Sequence, residues 1–266
     1  MYLIWSAIYI PLTLVGWIIE GERKPVYLLL CLRNFVFVGD NFYSWTLWYL
    51  NGLIFALLLI NILSKKFSIR KIVGIGSFTY LIGIGLTMLN GRLESLPSFL
   101  EKPIDLYFSL FVTTRNGLFQ SLVFVAIGML IAQINSANEL KPSKKSGLLV
   151  GAIYIIKVAL SLIRGGQFLS QILDLPTFWF LFEVIIYICR KVDFKGGFYK
   201  QLRGMSETIY FVHMYFVAFC SLVLYKGDYH NFKSYFICAG GATMIALVWQ
   251  ICKNEKLKIR CLPSVH

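Results

Sequence analysis

His213 is the one imidazole in a run that is otherwise largely apolar and aromatic, SETIYFVHMYFV over 206–217. Near neutral pH an imidazole can take a proton from a hydroxyl and hand it on, the work of a general base. At helical spacing Ser206, Tyr210, His213 and Val217 fall on one stripe, so Tyr210 stands one turn away and can orient the ring. Ser206 reads as the N-cap of this helix, and Glu207 suits the positive end of its dipole, which sets His213 about two turns in. Two roles fit the ring: a proton-transfer group, or a packing histidine bonded to Tyr210 or to another helix.

Arg115 sits in TTRNGLFQ over 113–120, among Thr113, Thr114, Asn116 and Gln120. Its planar fork matches a phosphate or carboxylate; it also fits an interfacial anchor with its stem on apolar surface. Lys157 and Glu183 each lie inside an apolar segment. A charge at such depth costs on the order of 2.5–3.5 kcal/mol and calls for a partner. The two segments are consecutive and antiparallel, so a Lys157–Glu183 ion pair is expected. It either locks two helices together or lines a polar cavity.

The elements that carry these residues are membrane helices. Of 266 residues 58% are hydrophobic and 15% charged, against roughly 45–50% and 25% in soluble domains. Apolar runs of spanning length occur at 2–19, 44–63, 72–89, 118–134, 147–163, 175–189, 207–225 and 234–252. The run at 175–189 is short and opens on Leu175-Pro176, so it spans only if 168–174 extends it around the proline. The stretch 26–38, interrupted by Arg33 and Asn34, reads as interfacial or re-entrant. The fold class is therefore all-α: a polytopic helical bundle of about eight spans, one transmembrane domain over 1–266 with no soluble domain.

Loops 64–71, 135–146 and 190–206 with the tail 253–266 hold 16 Lys and Arg, and the alternate set holds 9. That bias puts the first set, and both termini, in the cytoplasm. One local signal runs the other way: no basic residue precedes the first helix, and Arg23-Lys24 follow it. The net charge of +13 then reflects topology and anionic lipid, so lipids are expected partners and nucleic acid is not. Cysteines 31, 189, 220, 238, 252 and 261 lack CxxC or zinc-ligand spacing and read as free thiols, with no metal site.

Three stretches together resemble the membrane-bound acyltransferase type 3 family. TLWYLNGLIFAL (46–57) is similar to its Leu-Trp-Phe-Leu helix opening. TTRNGLFQSLVFVAIGMLIA (113–132) is similar to its Arg-Asn-Gly-Leu-Phe helix, with Arg115, Asn116, Gly117 and Gly128 in the corresponding places. SETIYFVHMYF (206–216) is similar to its Ser-x-x-Ile-Tyr-x-x-His helix. The resemblance implies about ten helices, of which the first two, bearing the family's arginine and principal histidine, precede the point that MYLIWSAIYIPL resembles. The chain thus looks N-terminally short.

What the resemblance implies is an O-acyltransferase in a bacterial cytoplasmic membrane. Acetyl-CoA or another acyl-CoA would serve as donor substrate, no cofactor would be bound, and a cell-surface polysaccharide or its precursor would accept the acyl group. His213 would move the proton with Tyr210 orienting it; Arg115, Trp48 and Asn116, with Lys157 and Glu183, would line the substrate cavity. The competing expectation is a non-catalytic membrane protein that binds or transports a glycan or lipid precursor.

Overall fold

A computed structural model describes residues 1–21, 23–140, 143–163, 165–192, 196–225 and 230–260, with side chains through Lys253. Among them every regular element is helical. The chain divides into two compact units. The first comprises Met1–Leu29, Asp40–Leu47 and Asp193–His266, and the second Leu30–Gly39 and Trp48–Val192.

In the first unit α1 (Tyr2–Ile8) and α2 (Ile10–Ile19) meet at Tyr9 with a 48° bend. Pro11 in the first turn of α2 explains it, since proline donates no hydrogen bond and crowds the preceding turn. The Tyr9 hydroxyl is buried at the bend, donates to the Phe211 carbonyl and lies 3.0 Å from Thr46 Oγ1. Trp5 stacks on Phe211 with centroids 4.2 Å apart. These contacts fasten the bent pair to α11 (Gly197–Phe219), which packs along α12 (Phe232–Arg260). Ala242 and Ala246 are fully buried; small side chains of this kind let helix backbones approach closely in a membrane.

The second unit holds most of α4 (Leu47–Leu63), then α5 (Ile69–Asn90), α6 (Ser98–Phe111), α7 (Leu122–Ser136), α8 (Lys144–Ser161), α9 (Gln167–Ile172) and α10 (Asp174–Lys191). A wide π-helical turn, Gly117–Ser121, leads into α7. Its mark is the Ser121 N–H bonding back five residues to the Asn116 carbonyl at 3.0 Å. Tyr80, Ile84, Val123, Ile127 and Ile131 form a core against which Phe124, Trp179 and Phe182 pack. A Cβ on buried Gly117 would overlap the side chain of Phe55, so only glycine lets the turn approach α4 that closely.

Among the described residues five helical stretches are long and apolar enough to cross a membrane: Ile69–Asn90, Gly117–Ser136, Gln167–Lys191, Gly197–Leu224 and Phe232–Lys253. The bent pair α1 and α2 would be a sixth if it is one span. Residues 168–174 do extend the short run around Pro176, giving the 25-residue stretch Gln167–Lys191. The segment at 26–38 is the helix α3 (Pro25–Phe37), 13 residues long, and its rise of about 20 Å falls short of a bilayer core of about 30 Å.

Three expectations change. The stretch between the apolar runs 72–89 and 118–134, one of the alternate set of loops, contains α6. Ser206 does not cap α11, which starts nine residues earlier at Gly197; a run of polar residues with good helix propensity precedes the apolar part and continues the helix. The Lys157–Glu183 pair does not form. Lys157 bonds Asp174, and Glu183 accepts from Ser146 Oγ at 2.5 Å and from Trp179 Nε1 at 2.9 Å. The antiparallel register of α8 and α10 is the reason. Ser146 opposite Glu183 and Lys157 opposite Asp174 are the two ends of one ladder, about 15 Å apart by helical rise. Cys261 and His266 lie outside the described residues; among the described residues the other five cysteines form no disulfide.

Candidate functional site

Arg115 ends the turn that joins α6 to the wide turn, and its backbone N–H donates to Thr113 Oγ1 at 3.1 Å. The next residue, Asn116, uses both ends of its amide. Its Oδ1 accepts from Leu118 N at 3.1 Å and Phe119 N at 3.0 Å, capping the wide turn. Its Nδ2 donates to the Tyr107 hydroxyl at 2.8 Å. Burial pushes the Tyr107 hydroxyl up to about 12, with the Asn116 bond offsetting part of that; it stays neutral and donates to the Thr113 carbonyl at 3.1 Å. Asn116 therefore holds the loop in shape, so that Arg115 stands over a cavity.

That cavity measures about 410 Å³ and is bounded by Trp48, Tyr80, Thr87, Arg115, Gln120 and Asp174, among others. It lies where α4, α7 and α10 begin and where α5 and α8 end, at one end of the unit. Asp174 forms part of its floor. One carboxylate oxygen bonds Lys157 Nζ, and the other accepts from the Tyr80 hydroxyl at 3.2 Å. The Tyr80 hydroxyl also approaches the Gln171 carbonyl at 2.9 Å. The Asp174 charge is thus matched within the fold. Among the described residues the Arg115 guanidinium has no carboxylate partner and is exposed.

A second cavity, about 420 Å³, shares Trp48, Gln120 and Asp174 with the first. Its other walls are mainly apolar, including Leu53, Phe124, Phe178 and Phe182, with Gly128 opposite Phe182.

Of the residues marked by sequence, Arg115 and Trp48 meet in the polar cavity. Lys157 acts on it through Asp174, Asn116 is occupied as a cap, and Glu183 is bonded to Ser146 and Trp179 and borders neither cavity. Asp174, Tyr80 and Thr87 were missed. A signal existed for Asp174: after a short connection, the partner of Lys157 lies the same distance past the turn, in QILDLP.

His213 and Tyr210 belong to the first unit. The Tyr210 hydroxyl donates to the Thr46 carbonyl at 3.2 Å, and the two ring centroids are 6.1 Å apart. His213 Nδ1 meets the Ile209 carbonyl at 3.2 Å. A carbonyl can only accept, so Nδ1 carries the proton and Nε2 is left as the basic nitrogen. The ring borders a cavity of about 660 Å³ with His230, Asn231 and Cys238.

No protein-family model matches the chain, and no solved structure matches it. It is similar to two curated proteins. One is an amino-acid racemase of Enterococcus faecalis, 30% identical over 149 residues, 56% of this chain and 20% of that protein. The other is a serine/alanine racemase of Enterococcus gallinarum, 28% identical over 228 residues, 82% of this chain and 30% of that protein. The matched region thus spans less than a third of either relative's length.

Proposed function

We propose that the protein is a multi-pass O-acyltransferase of the bacterial cytoplasmic membrane, about eight spans with both termini in the cytoplasm. It moves an acyl group, acetyl first among candidates, from acyl-CoA to a hydroxyl of a surface-polysaccharide precursor. The observation that carries this reading is the polar cavity under Arg115, with Trp48, Gln120 and the Lys157–Asp174–Tyr80 network around it. In the proposed orientation that cavity opens at the outer end of the helices, as an acceptor site would. The transfer forms a C–O bond from the acceptor oxygen to the thioester carbonyl and breaks the C–S bond. The hydroxyl proton passes to a base and then to the departing thiolate; the resemblance gives the base's role to His213, which belongs to the first unit.

The test is transfer of radiolabel from acetyl-CoA to a polysaccharide or lipid fraction by membranes containing the protein. His213→Gln is expected to lower that rate by roughly 10²–10⁴-fold, the usual contribution of a general base. Undiminished transfer removes His213 from the chemistry, and no labelled product removes the enzyme reading.

A second reading has its own support, because the two relatives are named for racemising amino acids. In it the chain binds or carries a small zwitterion, its carboxylate on Arg115, without acyl transfer. Saturable binding of radiolabelled serine to the purified protein, abolished by Arg115→Gln, would favour it.

A further inference from the structure

The two cavities of the second unit differ in character and meet at three shared residues. Around Arg115 threonines, glutamines, the Tyr80 hydroxyl and one carboxylate share the walls with Trp48, Ile84 and Phe119. Beyond Trp48, Gln120 and Asp174 they turn to leucine, valine and phenylalanine. Polar and apolar parts are ordered along α7. Arg115 precedes the helix, Gln120 stands at the junction, and Gly128 lies eight residues on, about 12 Å deeper by helical rise. A lipid in a bilayer has the same order, with its head at the helix ends and its tail toward the midplane.

Charge then decides which head. Lys157 and Tyr80 already satisfy Asp174, so the cavity's uncompensated charge is the guanidinium of Arg115. A guanidinium fork binds phosphate or carboxylate with two parallel hydrogen bonds. The apolar cavity, about 420 Å³, offers one compartment for one tail.

We propose that this site takes a single-tailed anionic amphiphile, its phosphate or carboxylate head at Arg115 and its hydrocarbon tail along Phe124, Gly128, Phe178 and Phe182. The inference rests on reading the cavity as the acceptor site, and names the acceptor's carrier as a lipid.

The experiment uses the full chain in nanodiscs and a dodecanoate probe with a photoreactive diazirine near the tail end. Adducts are expected in the peptides holding Phe124–Gly128 and Phe178–Phe182. Excess dodecyl phosphate or dodecanoate should displace the probe, and dodecyltrimethylammonium should not. Displacement by the phosphate alone indicates a phospholipid-type head, and by the carboxylate alone a fatty-acid head. Arg115→Gln should erase the preference for anions. Gly128→Leu should empty the site of probe, and Gly128→Ala, whose added Cβ meets Phe182 at an ordinary contact distance of 3.4 Å, should weaken labelling without lowering the melting temperature.

Even labelling of all lipid-facing helices, or equal displacement by the cationic amphiphile, overturns the proposal. Acetyl transfer measured on the same preparation separates the two readings. Site-specific labelling without transfer leaves the amphiphile site standing and removes the enzyme. Transfer without site-specific labelling does the reverse.

Discussion

Asn116 shows how a residue's type can be legible while its task is not. Its place beside Arg115 suggested a ligand contact, yet its amide is consumed by two backbone N–H groups and the Tyr107 hydroxyl. Asn116→Ala removes a cap and leaves Tyr107 short of a donor, a loss of about 1–2 kcal/mol. A thermal melt should register it, with Asn116→Asp falling in between because it keeps the capping oxygen. Arg115 and Trp48, by contrast, both line the polar cavity, Trp48 having been marked only through the resemblance. Asp174 was passed over because an aspartate just before Leu-Pro looks like the end of a loop, although it lies as far past the turn as Lys157 lies before it. Only its ladder partner on α8 gives it a structural meaning.

Helices with an uninterrupted apolar run were readable from one dimension, because twenty such residues suit few solvents other than lipid. α6 was hidden by Glu101, Lys102, Pro103 and Asp105, which break the run without breaking the helix. Register between helices is not written in any single segment, and so the partner of Lys157 was misassigned by nine residues, about two and a half turns along α10. The Lys157 and Asp174 side chains are 21% and 26% exposed, between the surface and buried cases. Lys157→Met or Asp174→Asn alone should therefore cost about 1–3 kcal/mol. The double change should cost less than the sum of the two, since it strands no charge. A double-mutant cycle in melting temperature reads this directly, and additivity would mean the pair contributes nothing.

For the whole molecule, composition was sufficient for a helical chain with apolar runs of spanning length, and among the described residues five helices are long and apolar enough to cross a membrane. The division into two compact units was beyond sequence reading, because it depends on contacts between residues some 200 positions apart, such as Tyr9 with Phe211. Orientation remains the proposal drawn from the basic loops, and Lys66, exposed in the loop 64–71 between α4 and α5, gives it a direct test. With Lys66→Cys as the sole cysteine, an impermeant maleimide should label permeabilised cells and spare intact ones. Labelling of intact cells would invert the topology and turn the mouth under Arg115 toward the cytoplasm.

The wide turn at Gly117–Ser121 holds one residue more than an ordinary helical turn would. Five residues at that wider pitch sweep about the same angle as four at the ordinary one, so the extra residue is absorbed in place. Arg115 and Gly128 therefore keep their facing across the turn whether it holds five residues or four. The alignment of head site and tail site is thus insulated from a change of length at this one point. Two chains that differ by one position here, with Asn116 and Gly117 kept, would still hold the same ligand.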